Sequence, residues 1–210
     1  MERIPPHILL GAYTEGVFPM ADDGEIHWFS PVMRGVIPLD DRFHIPHGLK
    51  KTLKNNPYQS RMNCAFREVM TGCSQRDETW INEVILESYY HLYELGYGYS
   101  FESWDDDGLQ GGLYGVAIGK AFFGESMFSK KNNASKIALA YLVDRLKATG
   151  FKLFDTQFLT PHLASLGAIE IPKTKYKVLL FQAVEETANF NASNYSPDAS
   201  AIAQRRAQTS

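Results

Sequence analysis

The sequence predicts an α+β protein, a mixed sheet with helices packed on it, and three observations carry that reading. Helical spacing of apolar residues at Ile81, Val84, Ile85, Tyr89 and Leu92 gives way to strand-like alternation over Tyr97–Trp104. Asp105-Asp106-Asp107-Gly108 is a hairpin-turn signal, and it leads into two more strand-like runs, Leu109–Gly119 and Lys120–Phe128. A helix through Leu146 and a strand over Phe151–Gln157 follow. A meander followed by a β–α–β unit requires both antiparallel and parallel neighbours in one sheet.

Taken in order, Pro5-Pro6 opens a short apolar helix over Ile8–Glu15, which Gly16 ends. Phe18–Met20 reads as a turn, Ala21–Gly24 as a loop and Ile26–Phe29 as a strand. Arg34–Leu39 is a second strand, which Pro38 assigns to a sheet edge. His47–Asn55 is a basic amphipathic helix. Asn63 is the cap expected for a helix carrying Phe66, Val69 and Met70 on one face. Thr79 is the cap expected for the longer helix that Gly96 ends. Asn133 or Ser135 caps the helix through Leu146, and Gly150 closes it. Thr160-Pro161 is a cap followed by proline at the first helical position, opening a short helix to Leu166. Ala168–Ile171 is a last strand and Lys173–Val184 a last helix. The expected organisation is a small N-terminal α/β subdomain over 1–62, a main domain over 63–184 and a polar, disordered tail over 185–210.

The 210 residues suffice for one full core with a small appendage. With 44% hydrophobic and 21% charged residues the chain falls among globular proteins, and at net charge −3 it has no global basic field for gripping long nucleic acids. Local clusters remain, at Lys50, Lys51 and Lys54, at Lys130 and Lys131, and at Lys173, Lys175 and Lys177; taken alone, such clusters are solvated faces. Cys64 and Cys73 match no metal or redox spacing, and the six histidines are scattered without ligand spacing, so no metal site is expected. No signal pattern opens the chain and no apolar run approaches eighteen residues, so the expectation is a cytoplasmic protein without membrane insertion. The glycine-rich run Gly111–Gly119 lacks the context and the Lys-Ser/Thr of a phosphate loop. It marks a bulge, with or without a ligand beside it.

The chemistry concentrates in two places. Glu125 sits within Phe122-Phe123-Gly124-Glu125-Ser126-Met127-Phe128, and Asp155-Thr156-Gln157 ends the apolar run Phe151–Phe154. Buried carboxylates are rare unless paired or working. Glu125 is either tied to Lys136 or backbone donors, or faces a site. Strand alternation puts Asp155 and Gln157 on one face, and Thr160 is better placed than Asp155 to cap the next helix.

At these motifs the chain resembles the leucyl/phenylalanyl-tRNA–protein transferases. The resemblance runs from about Leu10 to Val184 and rests on Gly16–Pro19, Trp28–Pro31, Thr79–Ile81, Gly111–Gly115, Gly124–Ser129, Asn133–Lys136, Asp155–Gln157 and His162–Ala168 in one order. It implies a GNAT-like main domain, needing no cofactor or metal, that moves Leu or Phe from the 3' acceptor end of aminoacyl-tRNA. The acceptor is a protein with N-terminal Arg or Lys, thereby marked for the N-degron degradation route. The chain departs from the family where Phe29 replaces a frequent Trp and Thr156 a frequent Cys, changes expected to be tolerable in packing. It also begins shortly before Gly16, where other members carry a longer segment, which bears on tRNA contacts.

An aminoacyl ester is already activated, so such a reaction needs positioning, control of the amine proton and support for the oxyanion. The resemblance assigns Asp155 and Gln157 to the attacking amine and Glu125 to a substrate amine. It assigns Trp80, Met127, Phe122 and Phe154 to an apolar pocket for Leu or Phe, with Ser126 among the substrate-binding residues. Trp28 is then a stacking surface for the terminal adenosine. Two rivals stand beside it. An acyl-CoA N-acyltransferase would show a glycine loop before a helix, which Phe128–Asn133 does not offer. A non-catalytic RNA- or peptide-binding module would have no need of Glu125, Asp155 and Gln157 together.

Overall fold

The structure, a computed structural model, describes residues 2–75, 79–191 and 198–204. Helix α1 (Pro6–Thr14) starts on proline and buries Leu9 and Tyr13, four residues apart on one face. β1 (Phe18–Asp22) and β2 (Glu25–Phe29) pair antiparallel in a two-stranded sheet. Phe18–Met20 is therefore strand, not the expected turn. The reversal falls at Asp23-Gly24, whose φ values of 46° and 83° are those of a two-residue hairpin loop. Pro19 is tolerated in such a ribbon because each of its strands has an unpaired edge.

β3 (Met33–Val36), β4 (Gln59–Met62), β5 (Gly98–Asp105), β6 (Gly108–Ile118), β7 (Ala121–Ser129), β8 (Leu153–Gln157) and β9 (Ile169–Pro172) form the main sheet. Its order is β4-β5-β6-β7-β8-β3-β9, and of these pairs only β7–β8 is parallel. The expected mixed sheet is present, with the meander β5–β6–β7 feeding a parallel crossover to β8. β3 is interior rather than an edge, because Pro38 lies beyond its last paired residue and removes no ladder donor. β4 had no clear signal in the sequence. Both β3 and β4, from the segment before residue 63, are strands of this main sheet.

Helices cover both faces. α2 (His47–Asn55), α5 (Ala134–Ala148) and α8 (Ala199–Gln204) share one core with Leu113, Phe122 and Phe154. α1, α3 (Phe66–Ser74), α4 (Glu83–Glu94) and α7 (Lys173–Val184) share the other with Tyr114, Val116 and Phe123. The alternation Phe122/Phe123 and Leu113/Tyr114 divides neighbouring side chains between the two cores. A short helix α6 (Pro161–Ala164) follows β8, capped as expected by Thr160, whose hydroxyl accepts from Leu163 N at 3.2 Å.

Two other caps differ from expectation. Asn82, not Thr79, caps α4, accepting from Ile85 N at 2.9 Å. Asn63 instead accepts from Ser100 N, while buried Glu102 takes the amides of Cys64 and Ala65 ahead of α3. Beyond Glu185, the described part of the tail includes side chains packed on the fold. Phe190 is 4% exposed and packs on Tyr99 and Phe122, and Ile202 of α8 is 1% exposed. Large apolar side chains within a polar composition provide that attachment. Positions 192–197 and 205–210 lie outside the described residues. No helix among the described residues is long and apolar enough to cross a membrane.

Candidate active site

The parallel pairing of β7 with β8 runs from Ala121↔Leu153 to Phe123↔Asp155 and stops. Just past that point both strands bulge. Against β6, Tyr114 faces Ser126 and Gly115 faces Gly124, leaving Glu125 as the extra residue. Against β3, Val36 faces Asp155 and Gly35 faces Gln157, leaving Thr156 as the extra residue. Bulges bend strands and re-aim side chains. β8 then ends in a tight three-residue turn, with Phe158 N donating to Thr156 O at 2.7 Å and Gln157 held at φ 59°. A left-handed non-glycine residue costs roughly 1–3 kcal/mol and is common at functional sites. Gly35 makes room for the turn, since a Cβ there would lie 2.5 Å from the Phe158 carbonyl carbon.

Where the strands part there is a cavity of about 680 Å³, of a size suited to a small organic group. Of the residues expected at a site, Glu125, Gln157, Ser126, Met127, Trp80 and Phe154 line it. Three do not. Phe122 is fully buried in the core and meets Phe154 edge-on at 5.4 Å, because the neighbouring position on the strand already faces the opposite core. Trp28 is 42% exposed on β2 and stands outside the cavity wall, to which the two-stranded sheet contributes Phe18 and Met20 from β1 instead. Asp155 also lies outside the wall, at 0% exposure.

Asp155 is fully engaged within the protein. Arg34 clamps it with two donors, Nε to Oδ1 at 2.9 Å and Nη2 to Oδ2 at 2.6 Å. Tyr176 OH adds 2.7 Å to Oδ2, and the Gln157 amide N–H adds 2.8 Å to Oδ1. Four donors occupy the lone-pair sites of a carboxylate, so a direct contact with a substrate amine is ruled out in this arrangement. Asp155 instead fixes the backbone of the strained Gln157. Arg34 is itself held between the rings of Phe18 and Tyr176 and donates to Gly16 O at 3.1 Å.

Among the described residues Glu125 is bound neither to Lys136 nor to backbone donors. Tyr13 of α1 donates to Oε1 at 2.5 Å, Tyr89 of α4 to Oε2 at 3.1 Å, and the two phenols also touch each other. Gln157 Nε2 reaches Oε1 at 3.4 Å. Three oxygen–oxygen contacts with two phenolic protons are fully satisfied when the carboxyl supplies a third. Burial, reinforced by the Asp155 charge, raises the Glu125 pKa to about 7, against the lowering pull of both phenols and Arg34. Burial first, then the Glu125 charge, holds both phenols well above the ordinary tyrosine range, so they remain donors.

A raised carboxyl stabilises the fold below its unfolded pKa, and that contribution is lost as pH rises through the folded one. The stability of the wild type relative to Glu125→Gln is therefore expected to fall by roughly 3 kcal/mol between pH 4.5 and pH 8. Urea unfolding of both proteins across that range measures it, and a difference independent of pH would contradict the assignment.

Tyr13, Tyr89, Arg34 and Tyr176 were not singled out by sequence reasoning. The tyrosines occupy apolar helical stripes and read as core. Arg34 did leave a signal, as a lone cation opening the apolar run Gly35-Val36-Ile37. Thr156 lines the cavity, and its buried hydroxyl oxygen has no hydrogen-bond partner among the described residues. Phe29 stacks on Phe18 at 6.1 Å. Among the described residues no group of three or more His, Cys, Asp or Glu is arranged to hold a metal.

A sheet that opens over a largely apolar cavity, with an amide and a carboxyl together on its wall, is the kind of site in which enzymes hold a small substrate group. Sequence comparison makes the class particular. Residues 36–181 match the family model of leucyl/phenylalanyl-tRNA protein transferase, and residues 2–32 match that of the family's N-terminal domain. The chain is 50% identical to the leucyl/phenylalanyl-tRNA–protein transferase of Cereibacter sphaeroides over 99% of this chain and 98% of that one. It is 53% identical to that of Akkermansia muciniphila over 88% and 98%, and 49% identical to that of Herpetosiphon aurantiacus over 90% and 99%. The chain belongs to the leucyl/phenylalanyl-tRNA protein transferase family, whose members are aminoacyltransferases.

Proposed function

We propose that this protein transfers Leu or Phe from the 3' end of aminoacyl-tRNA to the α-amine of acceptor proteins that begin with Arg or Lys, in the cytoplasm and as an N-degron mark. The observation that carries this is the shared floor of the cavity. Glu125 and Gln157 meet there, with Met127, Phe154, Leu139 and Trp80 around them. The meander and the parallel β7–β8 pair that parts at its end support a GNAT-like assignment of the sheet.

The reaction forms an amide and releases the ribose hydroxyl. Gln157 donates through Nε2 to Glu125, which leaves its carbonyl oxygen to accept a hydrogen bond from the attacking amine. Glu125, with its pKa near 7, is matched to receive the amine proton, or to hold an ammonium when ionised. Asp155 contributes by position, through the Gln157 backbone. A carboxylate near the acceptor also suits a cationic Arg or Lys.

Incubation with Leu-tRNA and peptides beginning with Arg, Lys, Asp or Ala tests the reading. The Arg and Lys peptides should gain the mass of one leucine residue and the other two should not; no gain on any peptide rejects it. Trp80 lies on the apolar wall, so Trp80→Ala is expected to relax discrimination among aminoacyl groups by about 10-fold. Competition between Leu-tRNA and Val-tRNA measures that, and unchanged selectivity would remove Trp80 from the pocket.

A further inference from the structure

We infer, on the reading of the cavity as the pocket for a transferred Leu or Phe side chain, that Phe190 of the C-terminal tail is a positioning residue which sets the depth of that pocket through Phe122 and Phe154. Phe122 stands between the tail and the cavity wall. Its ring meets Phe154 edge-on, at 5.4 Å and 86°, and Phe154 lines the cavity. The Phe190 ring is stacked on Phe122 at 5.6 Å and 18°. Phe154 also rests against the bare backbone of Gly124, where a Cβ would lie 2.8 Å from its Cε2. Two buried rings thus connect a tail residue to the surface against which the transferred side chain would lie.

Phe190 is itself fixed from several sides. Tyr99 of β5 packs on its ring at 4.1 Å, and Phe151 meets it edge-on at 5.3 Å. Arg145 of α5 donates from Nε to the Phe190 carbonyl at 2.8 Å, and its guanidinium lies 5.7 Å from the ring centre. In the stretch Glu185–Asn191, otherwise made of small and polar side chains, Phe190 is the one large apolar group. The core it enters also contains Leu113 and Leu139, further residues of the cavity wall. A close-packed interior passes a displacement on rather than absorbing it. Truncating Phe190 opens a void beside Phe122, into which that ring and then Phe154 relax. The wall formed by Phe154 recedes, and a deeper apolar pocket favours the longer side chain of Phe over that of Leu.

The test is a competition between Leu-tRNA and Phe-tRNA for one peptide beginning with Arg, read as the ratio of phenylalanyl to leucyl product. Relative to the wild type, that ratio is expected to rise about twofold in Phe190→Leu, which keeps most of the volume, and about 5- to 10-fold in Phe190→Ala. A purely structural role would lower both products together and leave the ratio where it was. Ile202→Ala is the control, because Ile202 is as deeply buried in the same tail yet borders Ile45, Ala140 and Val143 around a separate small cavity. It should lower Tm without moving the ratio. A flat ratio in the Phe190 variants, or an equal shift in Ile202→Ala, overturns the inference and leaves Phe190 as an anchor of the tail. Should Phe190→Ala fail to fold, the shift in Phe190→Leu decides alone. Phe154→Ala tests the underlying reading separately, since an unchanged ratio in that variant refutes the pocket itself.

Discussion

Arg34→Met is expected to destabilise the protein by about 3–5 kcal/mol, the cost of leaving one member of a buried ion pair without its partner. Arg34 and Asp155 are 1% and 0% exposed, so water cannot replace the lost donors. The substitution keeps most of the side-chain length between Phe18 and Tyr176 but removes the cation from both rings and from Gly16 O. Asp155 keeps Tyr176 and the Gln157 amide, which support a charge only in part. The double variant Arg34→Met/Asp155→Asn removes the stranded charge and should recover about half of the loss. Urea unfolding of the wild type, the single and the double variant decides it. A loss below about 1 kcal/mol in the single variant would show that the pair is not holding the strand end.

Glu125→Gln is expected to reduce transfer about 100-fold at pH 8, the contribution of one positioned base. The geometry distinguishes this from a packing effect. Glutamine keeps the shape; its carbonyl oxygen accepts from one phenol and its amide nitrogen donates to the other, so the cavity wall is retained. What it loses is a group that changes charge near neutrality, since burial places the Glu125 pKa at about 7. The wild-type rate should therefore show a limb that rises with pH through about 7 as Glu125 ionises. The acceptor amine titrates as well, near pH 7.7–8.0 for an ordinary α-amine. That limb should persist in Glu125→Gln while the lower one disappears. A variant that keeps both limbs and loses rate uniformly would assign Glu125 to binding alone.

The sequence made the order of elements legible where the period is strong. α5, β8 and the β5–β6–β7 meander appear where apolar spacing and the turn at Asp105–Gly108 put them. It also marked Glu125 and Gln157, because an acid and an amide at the ends of apolar strands are locally conspicuous, whereas Met127 entered only through the family resemblance. What it concealed depends on contacts between distant segments. Tyr13 and Tyr89 come from helices lying far from Glu125 in sequence, and periodicity reports only that they face a core. Asp155 looked like a substrate contact because its strand-end position is visible, whereas the Arg34 clamp that closes it off is not. Phe122 was misplaced for a related reason. Its chemistry suits a pocket, but its place in the alternation turns it into the core between β7 and α5. Local rules failed where hydrogen bonds were made elsewhere, as at Thr79, which bonds Ile81 N two residues before α4 begins.

Gln157, strained, braced by Asp155 and Gly35 and turned toward Glu125 in the cavity, is central to the proposed transfer. Single-turnover peptide-bond formation by Gln157→Ala, with Leu-tRNA affinity measured on the same samples, tests that most directly. The bond-forming rate is expected to fall about 100-fold while the Kd for Leu-tRNA stays within about threefold. Equal losses in rate and affinity, or a rate close to that of the wild type, would contradict a role for the Gln157 side chain at the reacting amine.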